Sequence, residues 1–183
     1  MKRTIWTPTL AWLAAAAGAL LLAGVAPSET EVMGRLPAGT AQRMDQQRIV
    51  VPQGLSVDRS LALVGFEREH HEEIDSWIQG LRLEHDAAIS WFKMPVLNDP
   101  GDPAARSAIE DRILARQPTD RARSRLVPVF TNREAFTRAA GLSGAGHASV
   151  LVLDREGKVL ARAEGRYDQE KAQALRATLA QGR

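Results

Sequence analysis

Between residues 61 and 179 strand-like apolar runs alternate with helix-like patterns, and this order limits the possible fold more than any other feature. Leu61–Phe66 is continuously apolar, as expected of a strand buried on both faces. The apolar stripe of the helix pattern that follows consists of Ile74, Trp77, Ile78 and Leu81. Trp77 lies on this stripe, so we expect it in the core.

The middle of the chain repeats the alternation. A second strand is predicted within Ala87–Val96, and Asp102 is placed to cap a helix that Pro103 begins. A third strand is predicted at Leu126–Phe130, where the internal Pro128 favours the edge of a sheet. A short helix capped by Thr131 or Asn132 then ends at Gly141.

The C-terminal part contains the clearest hairpin pattern. Two apolar runs, 149–153 and 158–161, flank the turn Asp154–Gly157, and Asp168 is placed to cap a last helix. Strands that alternate with helices and end in an antiparallel pair predict an α/β fold. We expect a mixed sheet with helices on both faces and a C-terminal β-hairpin plus helix.

The N-terminus has the pattern of an export signal. Lys2 and Arg3 precede an uncharged stretch from Leu10 to Ala26, whose length is close to the lower limit of about 17–25 residues that cross a bilayer. Residues 1–26 are therefore predicted to be a signal peptide or an uncleaved N-terminal membrane anchor. The body is then periplasmic or secreted, or anchored in the inner membrane. We expect 27–47 to be a flexible lead-in and 48–183 to be the folded domain, with a short edge strand at Ile49–Val51.

Composition excludes two classes of function. The chain has no cysteine, so it lacks the thiolate that thiol catalysis and soft-metal binding require. It has 24 basic and 22 acidic residues, and the excess of two equals Lys2 and Arg3. The rest of the chain is balanced in charge, so we do not expect it to bind nucleic acid through a broad basic face.

Three stretches resemble the peroxiredoxin and exported thioredoxin-like families: LALVGF followed by a helix, LVPVFTNREAFTRAAGL, and SVLVLDREGKVLARAEG. The resemblance covers about residues 48–180 and implies a thioredoxin-like fold. The segment Leu61–Trp77 also resembles, more loosely, thioredoxin-like proteins that assist assembly of the mitochondrial ATP synthase.

The chain departs from these families at their redox centre. They carry a reactive cysteine at the end of the first core strand or the start of the next helix, where this chain has Glu67–Glu73. They also carry a cis-proline just before the hairpin strand, where this chain has Gly146–Ser149. The resemblance therefore implies a degenerate active-site region, consisting of Glu69, His70, His71 and His147, without thiol peroxidase or disulfide oxidoreductase activity.

Two groups of residues are candidates for binding. His70, His71 and His147, with acids nearby, could bind zinc or copper, or the histidine pair could simply belong to a polar helix start whose acids suit the helix dipole. The second group is an arginine-rich segment that could dock an acidic partner or anionic lipid headgroups, or be a solvated surface. Its members are Arg112, Arg116, Arg121, Arg123 and Arg125.

Three functions remain open from the sequence. The favoured one is an exported, non-catalytic thioredoxin-like domain that acts by protein–protein contact in the assembly or folding of an envelope complex. The alternative is a metal-binding or metal-delivery protein that uses the histidines, with zinc or copper as its only cofactor. A cysteine-independent enzyme is the third, although no motif supports it. The expected partner is an envelope protein, and membrane contact is expected only through an uncleaved N-terminal segment.

Overall fold

A computed structural model describes residues 33–37, 39–42, 48–51 and 57–181, with only the backbone described for 39–42 and 48–51. These residues belong to one compact unit, Glu31–Arg183. The predicted export segment, 1–26, lies outside the described residues. Of the helices that are described, none has the length and apolar character needed to cross a membrane.

The described residues form eight strands: β1 (Gly34–Arg35), β2 (Gly39–Gln42), β3 (Arg48–Val51), β4 (Arg59–Gly65), β5 (Trp91–Leu97), β6 (Val129–Phe130), β7 (Ser149–Asp154) and β8 (Lys158–Glu164). They also form five α-helices: α1 (His71–Gly80), α2 (Pro103–Leu114), α3 (Asp120–Ser124), α4 (Arg133–Ala139) and α5 (Gln169–Ala180). A short 3₁₀ turn, Arg68–His70, precedes α1.

Six strands form one mixed sheet in the order β1-β8-β7-β4-β5-β6, and β2 pairs with β3 in a separate two-stranded sheet. The strands β4, β5 and β6 run parallel, whereas β7 is antiparallel to both β4 and β8. The predicted mixed sheet is confirmed. Strand β6, which follows Pro128 directly, lies at the edge of the sheet. Pro128 predicts this position, because proline cannot donate a ladder hydrogen bond.

The central strand β4 separates two apolar layers, which explains its continuous apolar run. Leu61 and Leu63 face a layer that includes Trp77 of α1 and Leu175 of α5. The alternate residues of β4 face the opposite layer, which includes Phe136 of α4. Helices therefore cover both faces, as predicted, and Trp77 is fully buried.

Local signals in the sequence explain where the helices begin. The side chains of Asp102, Asn132 and Asp168 each accept a hydrogen bond from the backbone amide three residues later. The hairpin turn is also confirmed: Gly157 has a φ of 75°, which a residue with a side chain adopts only at a cost. These caps and turns fix the elements that carry the candidate site.

Within the expected lead-in, 27–47, the described residues include strands β1 and β2. The strand β1 extends the main sheet by pairing with β8, and Leu36, only 2% exposed, packs in the core layer of α4. Two-residue and four-residue strands are too short to show a period in the sequence. The predicted strand at Ile49–Val51 forms within β3, but it pairs with β2 and not with the main sheet.

Candidate functional site

The fold brings the start of α1 next to the loop before β7, and both segments belong to the predicted degenerate active-site region. Val64, near the end of β4, pairs with Ser149 at the start of β7. The chain enters α1 soon after β4 ends, so the first turn of α1 lies beside the loop that leads into β7. We call residues 143–148 the pre-β7 loop.

Glu73 in the first turn of α1 binds the end of the pre-β7 loop. One carboxylate oxygen, Oε1, lies 2.9 Å from Nδ1 of His147, and the other, Oε2, accepts the backbone N–H of Ala148 at 2.6 Å. The Glu73 side chain is only 16% exposed, whereas that of His147 is 67% exposed. Because an ionised carboxylate can only accept, Nδ1 of His147 carries the proton in this contact, and Nε2 is the other ring nitrogen.

The pKa of Glu73 lies below its ordinary value. Burial alone would raise this pKa, but the hydrogen bonds from His147 and Ala148 and the charge of His147 together lower it further than burial raises it. Glu73 is therefore ionised at neutral pH. We refer to the contacts of Glu73 with His147 and Ala148 as the Glu73 clamp.

A second carboxylate binds the other end of the pre-β7 loop. Glu164, at the end of β8, accepts the backbone N–H of Ser143 at 3.0 Å and also the Ser143 hydroxyl. Burial would raise the pKa of Glu164, and the two hydrogen bonds from Ser143 outweigh it, so this pKa is also lowered. The loop is thus held at both ends by ionised carboxylates from different elements.

The histidines of the predicted metal site each contact a different group. His70 is 4% exposed, and its Nδ1 accepts the backbone N–H of Phe66 at 3.1 Å. His71, which is exposed, has Nε2 placed 3.2 Å from Asp75 of the next turn. His147 is bound in the Glu73 clamp, and Glu69 is exposed.

No three histidine, aspartate or glutamate side chains within the described part of the chain are grouped so that they could hold a metal ion. The imidazole of His70 completes the turn after β4 by accepting the backbone N–H of Phe66. Because Nδ1 is the acceptor, the ring proton of the neutral form lies on Nε2. No contact in the described region favours the metal hypothesis, which stays a prediction.

The arginine-rich segment is divided between two places. Arg112 and Arg116 are exposed at the end of α2 and just beyond it. Arg123 forms an ion pair with Asp120 on α3 at 3.1 Å. Arg121 and Arg125 lie close to the turn that follows α1: Arg121 contacts Glu84, and Arg125 stacks on the ring of Trp91.

Sequence reasoning missed Glu73 as a site residue. The signal was present, because Glu73 lies three residues after His70 and such residues share one side of a helix. What the sequence lacked was the partner, since Ala148 is 75 residues away. The sequence also carries no local signal for Arg176, which donates to the carbonyl oxygen of Leu81 in the turn after α1, or for Arg82 in the same turn.

No protein-family model and no curated protein matches the sequence. Solved structures do match. A candidate electron transport protein from Aquifex aeolicus VF5 superposes with a TM-score of 0.56 at 15% identity, over 84% of this chain and 100% of the other. BsSco, a member of the Sco family of cytochrome c oxidase assembly proteins, matches with a TM-score of 0.53 at 13% identity, over 80% of this chain and 92% of its own.

A candidate electron transfer protein from the same Aquifex strain gives a TM-score of 0.53 at 13% identity, over 81% of this chain and 98% of the other. The fold is thioredoxin-like. At these identities the likeness shows the fold alone. Within this thioredoxin-like fold, the Glu73 clamp joins the two segments in which the resembled families carry their reactive cysteine and their proline. The chain itself has no cysteine.

Proposed function

We propose that this chain is an exported domain that uses a thioredoxin-like fold to contact a partner protein and performs no catalysis. The Glu73 clamp is the observation that carries the proposal. Both oxygens of the carboxylate are engaged by the loop that faces α1. An internal contact between the two segments in which the resembled families carry their reactive cysteine and their proline supports a role without thiol chemistry.

The groups around this position support the same proposal. A general base needs a free acceptor beside the reacting group, and a nucleophile needs a base to activate it. Ser143 bonds Glu164, and the buried His70 bonds the backbone of Phe66. These side chains hold the polypeptide in place, so we assign them to the structure of the site rather than to chemistry.

The rest of the domain is well formed, which suits a surface presented to a partner. The two apolar layers, the capped helices and the hairpin form a rigid support. None of these elements depends on a redox centre. BsSco, a neighbour of the same fold, belongs to a family of assembly proteins. The contact that we propose serves assembly or folding in the cell envelope, and the export pattern in residues 1–26 supports this compartment.

Site-specific photocrosslinking in the host cell tests the proposal. A photoreactive residue is placed singly at exposed positions on different parts of the protein, such as His85 in the turn after α1, Gly146 and Arg155. A Cβ added at Gly146 meets no other atom within 4 Å, so a side chain can leave the backbone there without a clash. We expect one discrete protein adduct, formed from the label on one surface of the protein and found in the exported fraction. The absence of an adduct from every surface of the folded, exported chain would overturn the proposal.

A further inference from the structure

The turn that follows α1, Leu81–Asp86, is surrounded by arginines from three separate parts of the chain. Arg82 is part of the turn and is exposed. Its φ of 55° makes it the only residue other than glycine with a positive φ among the described residues. Such a backbone costs about 1–3 kcal/mol for a residue with a side chain.

Two further arginines bind the backbone of this turn. Arg176, on α5, donates from Nη2 to the carbonyl oxygen of Leu81 at 3.0 Å. Arg121, on α3, donates from Nη2 to the carbonyl oxygen of Glu84 at 3.3 Å, and its Nε lies 3.8 Å from the Glu84 carboxylate. Both guanidinium groups are held in position by the turn and remain exposed.

Arg125 is fixed against the same turn through Trp91. Its guanidinium carbon lies 4.0 Å from the centre of the Trp91 ring, and the ring nitrogen donates to the carbonyl oxygen of Leu83 at 3.0 Å. The buried Nη1 of Arg125 has no hydrogen-bond partner among the described residues. Burial lowers the pKa of Arg125, and the nearby charge of Glu84 offsets this only in part.

The positive charge of this cluster exceeds the negative charge available to it. We call Arg82, Arg121, Arg125 and Arg176 the arginine cluster. Two carboxylates lie in the turn, Glu84 and Asp86, and Asp86 accepts the backbone N–H of Ala88. In the described part of the chain, Arg121 is the one member of the cluster with a carboxylate in ion-pair contact. The remainder of the protein is balanced in charge, so this surface is locally basic.

We propose that the arginine cluster is the docking surface for an acidic segment of the partner protein, an inference that rests on the proposed contact function. Guanidinium groups bind carboxylates with two parallel hydrogen bonds, and groups that are already fixed lose less freedom on binding. Three of the four arginines are fixed by carbonyl oxygens or by an aromatic ring. Attraction to anionic lipid headgroups depends mainly on the number of charges near the membrane and does not need such fixed geometry.

A peptide titration followed by NMR tests the surface. The exported protein, labelled with ¹⁵N, is mixed with a synthetic peptide rich in Asp and Glu, and with a matched peptide in which these residues are Asn and Gln. We expect saturable shifts confined to the amides of 81–86 and 121–125 with the acidic peptide, weakened by salt. The Arg82→Gln/Arg176→Gln variant should bind about tenfold more weakly or worse.

The matched control is Arg155→Gln/Arg166→Gln, which removes two exposed arginines that pair with Asp58 and Glu72 elsewhere on the protein. This variant should bind the acidic peptide as the wild type does. The inference is wrong if binding is not saturable, if the shifts lie elsewhere, or if both double variants bind equally.

Binding to vesicles of phosphatidylserine and phosphatidylcholine is measured in parallel. Binding to these vesicles, abolished by Arg82→Gln/Arg176→Gln and without binding of the acidic peptide, would assign the surface to lipid and overturn the inference. A crosslinked partner that attaches far from the arginine cluster would overturn it too, while leaving the proposed contact function in place. If no label position forms a crosslink, the proposed contact function itself is wrong.

Discussion

Replacing Glu73 by Ala removes the carboxylate that holds the end of the pre-β7 loop, and the structure sets the size of the effect. The variant leaves the backbone N–H of Ala148, a fully buried residue, without its acceptor. An unpaired buried donor costs about 1–3 kcal/mol. The contact with His147 adds less than about 1 kcal/mol, since that imidazole is largely exposed. We expect a total loss of about 2–3 kcal/mol in the free energy of unfolding.

Glu73→Gln is the graded comparison. Its amide oxygen can still accept the Ala148 N–H, and only the charge is lost, so we expect a cost of about 1 kcal/mol. Glu69→Ala is the matched control, because Glu69 is exposed in the turn that precedes α1. Its effect should stay within about 0.5 kcal/mol.

Urea denaturation followed by circular dichroism measures all three variants. With m values of about 1–3 kcal/mol per molar urea, Glu73→Ala should lower the midpoint by about 1 M and Glu73→Gln by a smaller amount. If Glu73→Ala unfolds at the same urea concentration as Glu69→Ala, the Glu73 clamp does not stabilise the fold and the reasoning is refuted.

The pH dependence of the same comparison has a definite sign. The folded-state pKa of Glu73 is below its ordinary value of 4.5, because the hydrogen bonds from His147 and Ala148 outweigh the opposing effect of burial. A carboxyl with a lowered pKa stabilises the folded state above its unfolded pKa, and this contribution is lost as the pH falls through the folded pKa. The stability difference between the wild type and Glu73→Gln should therefore shrink as the pH falls below 4.5.

Substitutions at Gly141, Trp77 and His70 test other parts of the fold by thermal unfolding. Gly141→Ala should cost more than about 2 kcal/mol, because Gly141 has a φ of 70° and a Cβ there would clash with the backbone oxygen of Met33. Gly144→Ala should be nearly neutral, because a Cβ there meets nothing within 4 Å. Trp77→Phe should cost about 1–3 kcal/mol through a lost indole hydrogen bond and a cavity. His70→Leu should be less stable than His70→Asn by about 1–3 kcal/mol, since only Asn offers the Phe66 amide an acceptor; equal stabilities would contradict this role.

The elements that could be predicted from the sequence are those whose signal is local. The apolar run of β4, the stripe that contains Trp77 and the cap at Asp102 each depend on neighbours within a few residues. The hairpin adds a turn in which Gly157 adopts a positive φ. Such signals are sufficient to predict the order of the strands and helices. The mixed sheet could be predicted from that order.

The candidate site could be predicted only in part, because its contacts join distant segments. The approach of α1 to the loop that holds His147 followed from the fold, but the residue that makes the contact, Glu73, did not. Arg82 and Arg176 are 94 positions apart in the sequence. Arg176 contacts the turn that contains Arg82 only because α5 packs on the same face of the sheet as α1. A single sequence contains no period that would reveal such a meeting.

The claim that this domain works by contact and not by chemistry is tested most directly with a variant that removes the two exposed imidazoles of the predicted metal site, His71→Ala/His147→Ala. The buried His70 is kept, so the turn after β4 is preserved. The measurement is the yield of the photocrosslinked partner in the host, compared with the wild type at equal exported amounts. Our account predicts an undiminished yield of adduct. A variant that is folded and exported but no longer forms the adduct would contradict it, since the partner would then depend on the histidines that a metal-binding or catalytic protein would use.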